Sequence, residues 1–282
     1  MADERNFRSA YYEKVGFRSV EEKKSLEILL KEKTLDRCKL KHFCLRFSLP
    51  ATYRNLIWKI LLGVIPIQVD SHKFIMDQRR QEYQDLYKAL IVTRIIDSST
   101  PKQQIFLAMW LLQTGNYTID ANLSIERGYT YIVQSFIELF DDDADIFWLS
   151  RNFYENVRKF EPNVSKLVER TNVLLAKEDQ DYWRHLSRNG ILDNLPLTKW
   201  FDCCFAGVLN KSALERIWDK LCGGSNKILV CVAVVLLTTL KPRLSKCSNI
   251  SGALQHVKNI TEETSDVIAN KSIEMWQSTD YI

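Results

Sequence analysis

The chain has 282 residues, 46% of them hydrophobic, and a formal charge of only +4, which suits a sizeable core and argues against electrostatic binding of nucleic acid. The charge excess is local: positions 1–50 hold twelve Lys and Arg against eight Asp and Glu, and their alternating signs read as a solvated helix face. No signal sequence opens the chain, no apolar run reaches the roughly 20 residues of a membrane helix, and seven cysteines without a C-x-x-C pair read as free core thiols of a reducing compartment.

Ser19 and Glu22 precede Leu26, Leu29 and Leu30, which predicts a capped surface helix with Lys23, Lys24 and Glu27 outside. Thr34 reads as the cap of the next helix, with Leu35, Cys38, Phe43 and Phe47 facing inward. Ser48, Leu49 and Pro50 break the chain, and a helix restarts with Pro in its first turn. Within it Arg54 and Trp58 have the spacing of a cation-to-ring pair. Positions 74–96 form a long helical pattern carrying Tyr83, Leu86, Tyr87, Leu90, Ile91 and Arg94. Thr100 and Pro101 begin a short helix that includes Phe106, Met109 and Trp110. Tyr83, Tyr87, Leu90, Phe106, Met109 and Trp110 exceed what one buried face per helix requires. They are either core or the surface on which a helical partner docks, and the second is the expectation taken forward.

Positions 114–128 have the Gly, Asn, Asp and Ser of an irregular connection. From Ile125 onward, Tyr129, Ile132, Val133, Phe136, Ile137 and Phe140 make an apolar helical face. The acids among Asp141, Asp142, Asp143 and Asp145 precede the pattern Ile146, Leu149, Phe153 and Val157. There they read as negative charge at a helix amino terminus rather than as metal ligands. The four histidines stand far apart, so no metal and no cofactor is expected. Helices over 167–175 and 182–186 follow, and one over 266–276 closes the chain. Between them Trp200, Phe201 and Phe205 cluster ahead of a capping box at Ser212 and Glu215. The helix it opens carries Leu214, Ile217, Trp218 and Leu221, and Gly223 with Gly224 supplies a left-handed exit. Positions 228–237 are apolar on all sides, which predicts a helix buried at a domain centre. Strand signals are almost absent, so the fold class is all-α.

The order of residues says more than their periodicity. The string W-F-x-x-x-F-A-x-x-L, then L-x-R-I-W-D, then G-G-x-x-x-[IL]-L-x-x-V-A is carried by Trp200, Phe201, Phe205, Ala206, Leu209, Leu214, Arg216, Ile217, Trp218, Asp219, Gly223, Gly224, Ile228, Leu229, Val232 and Ala233. It resembles the second half of a TBC domain, the all-helical fold of Rab GTPase-activating proteins. Positions 49–63, a Pro-started helix with R-x-x-x-W and an L-L-G exit, resemble the family's first motif. The resemblance implies one helical bundle of two lobes over 1–282. Its core lies at about 48–245, with amino- and carboxy-terminal helices packed on it. It also implies structural roles for Arg54, Trp58, Trp200, Phe201, Arg216, Trp218 and Asp219.

Such proteins work by inserting an arginine, which neutralises charge on the transferring phosphoryl group, and a glutamine, which orients water; the arginine is worth roughly 10³ to 10⁵ in rate. The family writes the first finger as I-x-x-D-x-x-R-T-x-P. With Pro101 fixed, Ser98 takes the finger position, Ser99 that of the Thr and Ile95 that of the Asp. Anchoring on Asp97 puts Thr100 there instead, and Arg94 falls in predicted helix. The second finger, Y-x-Q-G, is matched best by Ile125-Glu126-Arg127-Gly128, which keeps the Gly and loses the Tyr and Gln. Tyr131 and Gln134 have the wrong spacing and lie within an apolar helix pattern. Neither Ser98 nor Arg127 is the family's residue, so no catalytic residue is expected.

The wording of positions 5–9, 11–18 and 20–31 resembles one branch of the family that lacks both fingers. That likeness implies a noncatalytic third subunit of the tuberous sclerosis complex, bound to the coiled-coil region of hamartin and through it to tuberin. Tuberin's activity toward Rheb would then restrain TOR growth signalling. It implies a cytoplasmic protein, recruited to lysosomal or other endomembranes through the complex. Two other readings stay open: a Rab GTPase-activating protein with displaced fingers, and a scaffold that binds a small GTPase without turnover.

Overall fold

The apolar spacing of the sequence becomes helix after helix in the computed structural model, which describes residues 20–115, 123–160, 164–247 and 249–278. Ser19, and with it the expected first capping box, lies outside them. Sixteen α-helices and no strand occur among the described residues, and Thr34 meets Gln68 in an isolated antiparallel bridge. The chain is all-α and divides into two compact units.

The first unit comprises Met1–Ala121, Phe136–Asn156 and Trp218–Ser225. It contains α1 (Val20–Leu30), α2 (Arg37–Arg46), α3 (Ala51–Leu61), α4 (His72–Val92) and α5 (Lys102–Thr114). It also takes the end of α6 (Leu123–Leu139), most of α7 (Asp143–Phe160) and the end of α12 (Lys211–Cys222). The cap of α2 is Asp36, not Thr34: its carboxylate accepts from the amides of Cys38 and Lys39 at 2.9 and 3.0 Å. A charged acceptor beside the first free amides outcompetes a hydroxyl two residues earlier. The inward face is accordingly Leu40, Phe43 and Cys44, while Cys38 is exposed and Phe47 half-buried. Asp142 opens α7 by accepting from the Asp145 amide at 2.8 Å. The core is aromatic. Trp218 lies 4.6 Å from Phe153 and 5.1 Å from Phe136 between ring centroids, and Trp58 lies 5.8 Å from Phe136, distances at which tilted rings attract.

The second unit comprises Asn122–Ser135, Val157–Ile217 and Asn226–Ile282. Its centre is α13 (Ile228–Thr239), in which every residue from Ile228 to Leu237 is buried. Against it pack α8 (Val164–Glu178) and α16 (Glu262–Ser278). The Tyr182 hydroxyl, on α9 (Gln180–Arg188), donates to the Leu237 carbonyl at 3.0 Å. Around these lie α10 (Ile191–Asn194), α11 (Leu197–Asp202), α14 (Lys241–Leu244) and α15 (Ile250–Lys258). The start of α12 differs from expectation. Asn210, not Ser212, supplies the capping oxygen, to the Ala213 amide at 2.9 Å, and so opens the helix at Lys211, two residues earlier than the Ser212 box would.

No disulfide joins any of the seven cysteines; Cys44, Cys203, Cys204, Cys222 and Cys231 are buried. Desolvation pushes the Cys203 and Cys231 thiols up to about 12 and also raises those of Cys44 and Cys204 well above the usual thiol range. No helix among the described residues is long and apolar enough to cross a membrane.

Candidate functional site

Within the first unit, α3 presents Arg54 and Trp58 on one face, four residues apart. Both are buried and converge on Asp219, which has no exposed surface at all. The Asp219 carboxylate accepts from Arg54 Nε at 3.1 Å, from Arg54 Nη2 at 3.3 Å, from Trp58 Nε1 at 3.0 Å and from the Leu49 amide at 3.0 Å. Arg54 Nη2 also donates to the Leu49 carbonyl at 2.6 Å. The guanidinium thereby ties the entry of its own helix to α12. Burial pushes the Asp219 carboxyl above the usual carboxylate range, and the Arg54 guanidinium opposes that rise. Lys220, also buried, donates to the carbonyls of Cys44 and Phe47 at 2.7 Å each, closing the carboxy-terminal end of α2. On the next face of α3, Lys59 and Asn55 both donate to Asp145 Oδ2, the latter at 3.1 Å. Asp145 reads in the sequence only as charge at a helix amino terminus, and Lys59 and Lys220 are not singled out there. Their only trace there is charge placed inside apolar runs, as in Trp58-Lys59-Ile60 and Trp218-Asp219-Lys220-Leu221.

Ser98 lies on the connection from α4 to α5. Helix α4 ends at Val92, not at Ile96, because Arg94 adopts φ 57° and the Ile95 amide turns back to the Leu90 carbonyl at 3.0 Å. That is a left-handed helix stop with arginine where glycine is usual, so the expected helical Arg94 is an exposed end residue. Asp97 then closes the loop on itself. Its Oδ1 accepts from the Ser99 amide at 2.8 Å, the Ser99 hydroxyl at 2.6 Å and the Thr100 hydroxyl at 3.1 Å. These bonds hold its carboxyl below the usual carboxylate range. Ser98 is exposed at the tip.

The 123–128 stretch, expected as a connection, is the first part of α6. The Arg127 side chain lies outside the described residues. Gly128 meets the end of α11 closely: a Cβ there would stand 3.2 Å from the Asp202 carbonyl oxygen. Tyr131 rests on Gly207, whose φ is +73° and where a Cβ would come within 2.8 Å of the ring. Tyr131 and Gln134 both belong to α6. Among the described residues no group of three or more His, Cys, Asp or Glu could hold a metal ion.

Comparison with known proteins places this geometry. TBC1 domain family member 7 of Xenopus tropicalis is 44% identical over 277 residues, covering 97% of this chain and 94% of the relative. The human protein of that name is 39% identical over the same shares. The chain belongs to the TBC domain family. The Rab-GTPase-TBC domain family model matches residues 117–245. Among solved structures, the Ypt/Rab-GAP domain of Gyp1p superposes with a TM-score of 0.67 at 17% identity, covering 92% of this chain and 98% of that one. A Chlamydomonas flagellar RabGAP TBC domain gives 0.57 at 18% identity, with 84% of each chain covered. At these identities the likeness is one of fold.

In this TBC fold the six residues expected as a docking surface separate. Leu90, Phe106 and Met109 are buried and cannot meet a partner without unfolding. Phe106 lies 6.0 Å from Tyr83 and 5.9 Å from Phe147 between ring centroids, because α4, α5 and α7 close an aromatic cluster on one another. Tyr83 and Tyr87 are half-buried and stacked at 6.4 Å, and Trp110 Nε1 donates to Glu155 at 3.1 Å. The exposed apolar residues of α4 are instead Phe74, Ile91 and Val92. Trp200 and Phe201 are buried on α11, and Arg216 reaches outward to Asp266 and Asn270, at 2.5 Å each.

Proposed function

We propose that this TBC-domain chain is a noncatalytic adaptor. It binds the coiled coil of hamartin and stabilises the tuberous sclerosis complex, supporting the Rheb-directed activity of tuberin and its restraint of TOR signalling. The observation that carries the reading is the loop at 97–101. Ser98, aligned with the arginine finger, offers a hydroxyl, and Asp97 spends its carboxylate on closing the loop. A hydroxyl has neither the charge nor the reach to stabilise a phosphoryl transition state, and loss of an arginine worth roughly 10³ to 10⁵ in rate removes about 4 to 7 kcal/mol. The buried Arg54–Asp219 anchor supports a structural role for the retained family motif, since a guanidinium bonded to its own helix entry is committed.

The adaptor's partner face is the outer side of α4. This helix of 21 residues buries only Met76 and Leu90. Phe74 and Val92, 64% and 80% exposed, stand eighteen positions apart, five whole turns, and so face the same way at the ends of a stripe about 27 Å long. A hamartin helix lying along it would bury both. Recruitment to endomembranes would follow from the complex.

Single-turnover GTP hydrolysis across a Rab panel, at high protein concentration, should show no acceleration. Acceleration abolished by Arg94→Ala or Arg127→Ala would establish a displaced finger and overturn the adaptor reading. Phe74→Asp with Val92→Asp should weaken hamartin capture while leaving the melting transition in place. Undiminished capture would move the surface elsewhere.

A further inference from the structure

The outward face of α8 carries a second, differently made groove. Lys166, Arg170, Val173 and Lys177 follow at spacings of four, three and four, one face of a helix over about 16 Å. With Glu169, Leu174 of the same helix and Val230 of α13 they line a groove of about 440 Å³. Its floor is aliphatic, and Val173 at its middle is 65% exposed. Lys166 and Arg170 stand on one side of Val173 and Lys177 on the other, with Glu169 the single acid on the rim.

We propose that this groove binds an acidic amphipathic helix of a partner protein, one apolar side chain seated on Val173 and carboxylates placed before and after it. Charge complementarity selects that occupant. Three cations against one anion favour an acidic segment, and their arrangement along one helix, astride an apolar centre, matches the stripe of a second helix. An anionic membrane is the poorer match, because lipid recognition draws on clusters of about four to eight Lys and Arg spread on an accessible surface. Here there are three, interrupted by Glu169, around a depression. Glu169 also sets register, since an acidic partner gains nothing from lying against it. The site is separate from the face of α4 and stands whether or not the adaptor reading does.

The test uses the full chain and a fluorescent helical peptide of about 18 residues, long enough to hold its helix, with a leucine stripe flanked by glutamates. A second peptide has lysine for every glutamate. Anisotropy should show saturable binding of the acidic peptide, weakened at high salt, and none of the basic one. Val173→Asp and Lys177→Glu should each weaken binding by about tenfold or more, and Glu169→Lys should tighten it. These positions are exposed, and circular dichroism melts confirm that each variant folds. Equal binding of both peptides, or unchanged affinity in the folded variants, overturns the proposal. So does sedimentation with phosphatidylcholine–phosphatidylserine vesicles when the acidic peptide is ignored.

Discussion

The first unit buries charge and the second buries hydrocarbon. Around Trp58 and Trp218 the first holds Arg54, Lys59, Asp145, Asp219 and Lys220 nearly out of water, each with a partner fixed in direction. The second is centred on ten consecutive buried residues of α13, from Ile228 to Leu237, none of them charged. Buried ion pairs add little net stability but are costly to break, and they punish any other arrangement. Aliphatic packing is stronger per residue and more forgiving of shape. The two cores should therefore fail differently when altered.

The largest effect is expected at Asp219. Asp219→Ala leaves Arg54 buried without its counter-ion and should cost about 3 to 5 kcal/mol in denaturant melts; a loss below about 1 kcal/mol would show that the guanidinium finds water. Replacing both partners, as R54M/D219L, should recover part of that loss. It cannot recover all, because the Leu49 amide and the Trp58 indole still lose their acceptor. Trp218→Ala, an aromatic truncation in the same core, belongs in the same range. The matching change in the second core is Leu236→Met, a near volume-conserving swap that should cost less than about 1.5 kcal/mol. If it costs as much as Asp219→Ala, the contrast between the cores is wrong.

These sites differ in how far the sequence disclosed them. The α13 run announces itself because ten apolar residues in a row admit only burial, and Trp218 stands out by its stripe. The TBC order of Trp200, Phe201, Trp218 and Asp219 gave the fold. What stayed hidden was choice among near neighbours. Thr34 and Asp36, or Ser212 and Asn210, are all good caps, and only the path of the chain decides which oxygen meets a free amide. Arg94 hid because a helix stop without glycine leaves no mark in composition. The aromatic excess of α4 and α5 was legible but its destination was not, since a helix pattern shows which face is apolar and not how many neighbours cover it.

Two smaller predictions address the loop that carries Ser98. Arg94→Gly relieves a left-handed residue and should raise stability by about 0.5 to 1 kcal/mol; a loss would mean that the arginine side chain matters more than its backbone. The smallest effect concerns pH. The Asp97 carboxyl is held below 3.8 by Ser99 and Thr100, so its loop should be intact above that value and loosen as pH falls through the lowered one. Carboxyl NMR should place its midpoint below 3.8, and Ser99→Ala should move it upward. A midpoint at or above 3.8 would argue against the closed loop.

The distribution of the cysteines has a practical consequence. With five thiols buried, and four of them held as neutral SH by desolvation, the folded chain should react with a thiolate-selective reagent chiefly at Cys38, and more slowly at Cys247. Cys44 sits in the charged core, while Cys203, Cys204 and Cys231 sit in the aliphatic unit. Mass-resolved alkylation under mild denaturant would therefore time the opening of each unit separately in one tube, with the two more accessible thiols as the internal standard.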